Sequence, residues 1–513
     1  MNEIIFWGGA QRFVEALARG APTILVGLVI AGIFARLLGH EHTRKVFGHG
    51  TWRELPQAWL IGMLLPVCSL GVIPIAAQLR RSGLRGGTIL AFAMTAPLFN
   101  PLSVLYGLSL SEPVVILAFA MGSLIVVTVV GALFDRLFRD SATEAPEPPP
   151  VAVGLRRMAA VFVAGAREMA GPTFVYIFIG LLGVALLGGI VPKGRLMSSM
   201  EADNPYAALT MTAVATPAYA TPMQAMSQLG SMFQHGNSVA AAFVLLTLGA
   251  GANLGLIAWI FRNYGFRKGV AWIVILLAVV LGLAYGFNAP LHPSDIQAAG
   301  HTHAFDGYSN PFGESQSEFS SAFGHELKKA VLPHEVQAVL ILLSFALAGG
   351  LLRLLDRRWR LEEWLEKRPE TPRPASRFDV VVPPPVLGGI VLVGLISFSI
   401  LACYTYYPPA EQIFSDMTIF QTEVLSAATS GDTEHALHFL PFLQDWSRRL
   451  EVGTYLREGH LSDYRRMKGR VYRDKLEWLK HAIEDNDDPE EIREYVSAVG
   501  FASRRLRAAY RED

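Results

Sequence analysis

The sequence predicts an all-α, polytopic transmembrane protein with two repeated blocks of broken helices and a small C-terminal helical domain. Three observations predict it: an apolar composition, about ten long apolar runs, and a glycine–asparagine spacing that recurs in two of them. Of 513 residues, 51% are hydrophobic and 17% charged, with a mean hydropathy of +0.34. A soluble enzyme of this size rarely shows such a composition. Runs such as APTILVGLVIAGIFARLLG (21–39) and VAWIVILLAVVLGLAYGF (270–287) are long enough to cross a hydrocarbon core of about 30 Å.

Along the chain, the opening MNEIIFWGGAQRFVEALARG lacks a basic start, a continuous apolar run and a small-residue cleavage site. It is expected to be a retained amphipathic lead-in. The first transmembrane block, 1–140, carries spans near 20–38, 57–80, 84–108 and 112–135. A proline-rich charged linker, 141–155, follows, with a composition that hydrocarbon does not accept. The second block, 156–290, carries spans near 172–191, 206–230, 239–262 and 270–287. A polar loop, 291–333, precedes the segment 334–407, which holds two added spans near 334–355 and 384–405 and a basic linker between them.

Residues 408–513 are different material. They hold 15 Lys and Arg and 20 Asp and Glu among 106 residues, a density of charge that belongs in water. Asp488-Pro489-Glu490-Glu491 reads as a helix start, with a capping acid, a proline in the first turn and acids at the positive end of the dipole. Ile492, Tyr495, Val496, Val499 and Leu506 then fall near helical spacing. An extramembrane helical domain, open to a protein partner, is the expectation.

The chemistry concentrates in PVCSLGVIPIAAQLRRSGLRGGTILAFAMTAPLFNP, residues 66–101. In hydrocarbon every freed backbone group costs several kcal/mol. Pro66, Ser69, Gly71, Pro74, Pro97, Asn100 and Pro101 are therefore tolerable only against protein, ions, water or substrate. Broken helices of this kind build binding sites near the bilayer midplane in many transporters.

The second block repeats the pattern. Gly83 stands 17 residues before Asn100, and Gly236 stands 17 residues before Asn253. Pro74 and Gln78 precede the first glycine, as Pro222, Gln224 and Gln228 precede the second. The stretches end TAPLFNP and TLGAGANLG. Charge bias favours the same side for Arg136, Arg139, Arg156 and Arg157 and for the linker 353–377. Five spans lie between them, so either one of the five turns back or one loop breaks the rule, and 206–230, with Pro217 and Pro222, is the expected re-entrant piece. Both parallel and inverted repeats remain open at this level.

The run LLPVCSLGVIPIAAQLRRSGLRGGTILAFAMTAPLFNPL, residues 64–102, resembles the ArsP-type predicted permease family, organoarsenical-efflux-like permeases. The shared features are a proline-cysteine-serine stretch, Gly-Val-Ile-Pro, a basic-glycine elbow and an Ala-Pro-x-x-Asn-Pro ending. The resemblance covers about residues 1–290 and at most reaches 355. It implies a multi-pass permease of the inner cell membrane, some relatives of which export trivalent organoarsenicals. This chain carries Cys68-Ser69-Leu70-Gly71 where the family's run is similar to Cys-Ser-Cys-Gly. Trivalent arsenic favours thiolate partners, and the chain's other thiol, Cys403, lies far along the sequence. The permease reading is unaffected.

The candidate substrate-binding residues follow from both arguments. In the first broken segment they are Cys68, Ser69, Gly71, Pro74 and Gln78. Pro97, Asn100 and Pro101 belong to the second, Pro222 and Gln224 to the third, and Asn253 to the fourth. A buried amide in a membrane span must find partners, so Asn100 and Asn253 suit a substrate or coupling ion, with helix–helix adhesion as the alternative. Cys68 is a soft ligand or a small apolar filler. Arg80, Arg81 and Arg85 in the elbow set topology.

Other classes are disfavoured. A formal net charge of +0 argues against nucleic acid. Two cysteines exclude a disulfide framework. His292, His301 and His303 lack the spacing of a structural zinc site. No phosphate loop or Gly-x-Ser-x-Gly elbow is present, so neither an enzyme nor a cofactor is expected. The function read from the sequence is a permease moving a small solute, with a trivalent arsenical or other metalloid species among the candidates. Alternating access would turn on segments 66–74, 97–101, 217–222 and 249–253. A membrane scaffold that anchors 408–513 for signalling or assembly, and a passive channel, are the alternatives.

Overall fold

The computed structural model describes residues 2–48, 50–110, 113–139, 155–292, 304–312, 319–360, 364–365, 382–485 and 487–511. The proline-rich linker up to 154, His301, His303 and most of the basic linker lie outside them. The described chain is built from helices, with an isolated antiparallel bridge between Glu201 and Asn237. It divides into two compact units, 1–103 with 114–397 and 104–113 with 398–513.

Helix α1 (Asn2–Ile33) continues through a π-helical segment, Phe34–Leu38, into α2 (Gly39–Val46). The lead-in is thus the first half of a long helix rather than a separate piece. Next come α3 (Glu54–Leu64) and α4 (Val72–Arg81), separated by a break at 65–71. Their outer ends meet. Glu54 accepts a hydrogen bond from Thr88 Oγ1 at 2.6 Å and sits 3.8 Å from Arg85. The apolar run 57–80 is therefore a hairpin that turns back at its break, not a span.

Helices α5 (Gly86–Thr95) and α6 (Pro101–Leu110) flank a second break at 96–100. Helix α7 (Pro113–Leu137) returns to the starting end, where Asp135 accepts from the Gly87 amide at 2.7 Å. Helix α8 (Arg156–Met169) leads into α9 (Pro172–Ile190). Helix α9 runs the length of the unit, because Gly189 at its far end packs on the Ile5 carbonyl.

From that far end α10 (Ala207–Ala215) and α11 (Pro222–Gln234) form a second hairpin around a break at 216–221. Ser238 N, just after α11, bonds to Met200 O, before α10, at 2.9 Å. Helix α12 (Val239–Val244) runs through a π-helical segment, Leu245–Ala250, to a break at 251–253 and then α13 (Leu254–Tyr264). The two parts are bent by 60°. Helix α14 (Phe266–Asn288) comes back, and Asn288 Oδ1 accepts from the Ala240 amide at 3.0 Å. The hairpins α3–α4 and α10–α11 thus open to opposite ends of the unit.

Helices α15 (Phe319–Ala330), α16 (Pro333–Trp359) and α17 (Pro384–Tyr406) follow. Among the described residues six helices are long and apolar enough to cross a membrane, or seven with the bent pair α12–α13. Helices α16 and α17 expose Leu343, Leu347, Leu354, Val393 and Leu401, as surfaces facing lipid tails do. Of the five expected spans between the two basic linkers, α10–α11 is the one that turns back. Arg353, late in α16, donates to Arg167 O in α8 at 2.9 Å, so these described flanks of the two linkers meet.

In the second unit α18 (Ala410–Ser430), α19 (Thr433–Glu458), α20 (Asp463–Glu484) and α21 (Pro489–Ala509) close on a core that includes Ile413, Leu440, Leu443, Tyr472, Leu476, Val499 and Leu506. Asp488 caps α21 by accepting from Glu490 N at 3.0 Å, with Pro489 in the first turn. Arg473 pairs with the buried Glu451 at 2.7 Å. Gly469 makes room for that carboxylate, which a Cβ would strike.

Candidate functional site

Two turns fix the broken segments. Gly83 (φ 79°) and Gly236 (φ 67°) take the left-handed conformation that ends α4 and α11, where a β-carbon is costly. The hydrogen bonds around them correspond one to one. Leu84 N donates to Leu79 O at 3.3 Å, and Asn237 N to Met232 O at 2.9 Å. Seventeen residues after each glycine an asparagine starts the next half-helix. Asn100 Oδ1 accepts from Ser103 N at 2.7 Å, and Asn253 Oδ1 from Leu256 N at 2.9 Å. Both are N-caps, a role for which Asn ranks among the best residues.

The other two breaks end similarly. Thr221 caps α11, accepting from Gln224 N at 3.3 Å, with Pro222 as the first helical residue. The Cys68 thiol accepts from Gly71 N at 3.4 Å ahead of α4. Pro74 lies beyond this break, in the first turn of α4. An absent N–H costs nothing there, because first-turn amides have no intrahelical acceptor. Pro101 likewise opens α6, while Pro97 lies within the second break.

Small residues draw the four breaks together. Gly27 of α1 and Gly71 pack backbone on backbone, and a β-carbon on Gly71 would stand 2.5 Å from Thr23 O. Gly180 of α9 packs on Leu70 and on Asn253 Oδ1, and Gly183 on the Pro217 carbonyl. Gly251 lies against Leu98 and Met94. Ala220 N donates to Gly249 O at 3.1 Å, tying the third break to the fourth. Tyr219 stands beside Cys68 and Thr23.

In this centre Ser69 Oγ has no hydrogen-bond partner among the described residues, Tyr219 Oη stands within reach of Cys68 and Thr23, and Asn253 Nδ2 again has none among the described residues. Ser69, Tyr219 and Asn253 are 0%, 2% and 0% exposed. An unpartnered buried polar group costs about 1–3 kcal/mol. Among the described residues no group of three or more His, Cys, Asp or Glu could hold a metal.

The two ends differ. At the end where α4 and α13 finish and α9 begins, a cavity of about 420 Å³ is lined by Arg80, Arg81, Glu168, Tyr176, Trp259 and Arg262 among others. Gln78 lies near this end, its Oε1 3.5 Å from Arg81 Nη1. At the opposite end residues 304–312 seal the unit. Tyr308 is buried and donates to Gln228 Oε1 at 2.8 Å. Arg12 donates to Ser309 O at 2.9 Å and Asp306 O at 2.6 Å, and Asn310 Nδ2 donates to Ile4 O at 3.0 Å. Gln224 lies against Gly307.

Of the residues expected from sequence, Cys68, Ser69, Gly71 and Asn253 therefore share the centre, joined there by the second break through Leu98, while Gln78 and Gln224 point to opposite ends. Sequence reasoning missed Tyr219, Gly180, Gly183 and Tyr308. The first carried a signal, a hydroxyl-bearing ring between Pro217 and Pro222.

An all-α membrane protein whose interrupted helices meet around buried, unpaired polar atoms is a polytopic permease in class. The model of the predicted permease family ArsP_1 matches residues 7–288, and the chain belongs to that family. A curated relative, UPF0718 protein YcgR of Bacillus subtilis (strain 168), is 22% identical over 279 residues, covering 53% of this chain and 93% of the relative. No solved structure matches. Residues 304–312, α15–α17 and the C-terminal helices lie beyond the family match.

Proposed function

We propose that this chain is an inner-membrane permease that moves a small solute by alternating access around its four helix breaks. The observation that carries the reading is the pair of atoms without partners among the described residues, Ser69 Oγ and Asn253 Nδ2, in one buried centre beside Tyr219 and Cys68. A bound solute gives those groups the partners they lack. The N-termini of α4, α6, α11 and α13 start at the breaks, and their amides and dipoles favour electron-rich atoms. The opposed hairpins and the matched glycine turns and asparagine caps support an inverted internal duplication of 1–140 in 156–290. The charge bias of the basic linkers favours a cytoplasmic side for the arginine-lined end.

A trivalent arsenical or related metalloid is the solute class we assign, with Cys68 as the soft ligand. The test is metalloid sensitivity in a host stripped of its own exporters. Wild type is expected to protect and Cys68→Ser to lose protection. Absence of protection by well-expressed wild type refutes the metalloid assignment. Unchanged flux in both Asn100→Ala and Asn253→Ala refutes the site. A second reading, a membrane anchor for signalling or assembly, draws on the separate core of residues 408–513 outside the family match. Deleting 408–513 discriminates: a lost phenotype with intact flux favours the anchor.

A further inference from the structure

The cavity at the arginine-lined end carries charge that transport at the breaks does not use. Arg81 is neutralised there by Glu168 at 2.9 Å, which also accepts from Thr173 Oγ1 at 2.7 Å. Arg80 has no carboxylate partner among the described residues. Its Nη1 and Nη2 donate to Asn263 Oδ1 at 2.8 Å and Asn263 O at 2.9 Å, and its guanidinium lies 5.5 Å from the Tyr264 ring centroid. Its Nε is buried without a partner among the described residues. Arg262, also on the wall, has no carboxylate partner among the described residues either. Two positive charges are thus left over around one cavity. Pro172 and Thr173 add the first turn of α9 to the wall, with its partial positive charge.

Setting topology requires only that arginines reach the aqueous side. It does not require Arg80 to be held rigid by a neutral amide and a ring, with a buried N–H unspent. Guanidinium groups fixed in this way match oxyanion geometry. We propose that the cavity is a binding site for a small oxyanion of the phosphate or phosphonate type. The inference goes beyond the transport reading, since the cavity holds its anion whether or not flux follows.

Cys68 and Cys403 are the chain's two cysteines, so replacing both by serine gives a thiol-free background. Ala77→Cys then puts one thiol on the cavity wall. In nanodiscs of zwitterionic lipid, its modification rates by an anionic and a cationic methanethiosulfonate are compared, with mercaptoethanol as the reference thiol. A local potential of one to two kT favours the anionic reagent by about 20-fold over the reference ratio. Arg262→Gln and Arg80→Gln are expected to lower the preference several-fold, and Arg262→Lys to restore it.

Millimolar inorganic phosphate is expected to slow modification. It should also raise the melting temperature of the intact wild type but not of Arg80→Gln or Arg262→Gln. Protection by phosphate in zwitterionic discs assigns the site to a free anion. Protection that appears with phosphatidylglycerol alone assigns the same chemistry to a lipid headgroup. A rate ratio equal to the reference, with no protection and no thermal shift in either lipid, overturns the proposal. Loss of flux in Asn253→Ser with the anion preference intact, or the reverse, keeps the two readings apart.

Discussion

Replacing Asn253 by serine separates two jobs that one side chain performs. Its Oδ1 caps α13 by accepting from Leu256 N at 2.9 Å, while its Nδ2 is buried without a partner among the described residues. The backbone at this position, φ −160° and ψ 165°, is the extended form of an N-cap, and serine caps about as well as asparagine. Asn253→Ser therefore keeps the cap and removes the amide NH2, leaving one hydroxyl hydrogen close to the backbone in its place. Asn253→Ala removes both cap and amide, at a cost of about 1 kcal/mol for the cap. A solute hydrogen bond is worth about 0.5–1.5 kcal/mol, which corresponds to about a 2- to 13-fold rise in KM.

The assay pairs initial rates of metalloid flux in inverted vesicles with thermal melting of the purified protein. The serine variant should melt close to the wild type, since the cap is kept, yet show the raised KM. The alanine variant should lose on both measures. A serine variant with wild-type KM refutes the role of the amide in solute binding. A serine variant as unstable as the alanine one refutes the division of labour.

Other perturbations test the frame around the site. Gly83→Ala and Gly236→Ala each force a β-carbon into the left-handed region and should each cost about 1–2 kcal/mol, read as matched drops in melting temperature. Gly183→Ala drives a β-carbon into the Pro217 carbonyl; flux should fall steeply while Gly282→Ala, which meets nothing, leaves it unchanged. Tyr308→Phe removes a buried hydrogen bond of about 1 kcal/mol, so hydrogen exchange of residues 304–312 should speed up about 5-fold. Glu451→Gln leaves Arg473 buried without its counter-charge and should destabilise the C-terminal helices by about 3 kcal/mol, seen as faster proteolysis of that unit alone.

What the sequence displays depends on how local each cause is. The turns at Gly83 and Gly236 and the caps at Asn100 and Asn253 are set by bonds across three to five residues, so a fixed spacing reveals them. The C-terminal helix start at Asp488-Pro489 is legible for the same reason. The hairpin at 57–80 is not. Its composition is that of a span, and only Glu54 meeting Thr88 and Arg85 closes it. Gly180 and Gly183 matter because of what α9 lies against, which no window of residues contains. Arg80 reads as a topology marker until Asn263, 183 residues away, is seen to hold it. Residues 304–312 look like an ordinary polar loop, because Tyr308 finds Gln228 only across the fold.

That loop has an energetic consequence. Residues 304–312 lie beyond the family match and fasten one end through Arg12, Asn310 and Tyr308, while Arg353 of α16 donates to Arg167 O at the other at 2.9 Å. Opening the end at Tyr308 therefore means breaking these bonds, a cost set by residues outside the matched family. The family core and the segment that fastens its far end are thus written in separate stretches of sequence, so either can change without rewriting the other.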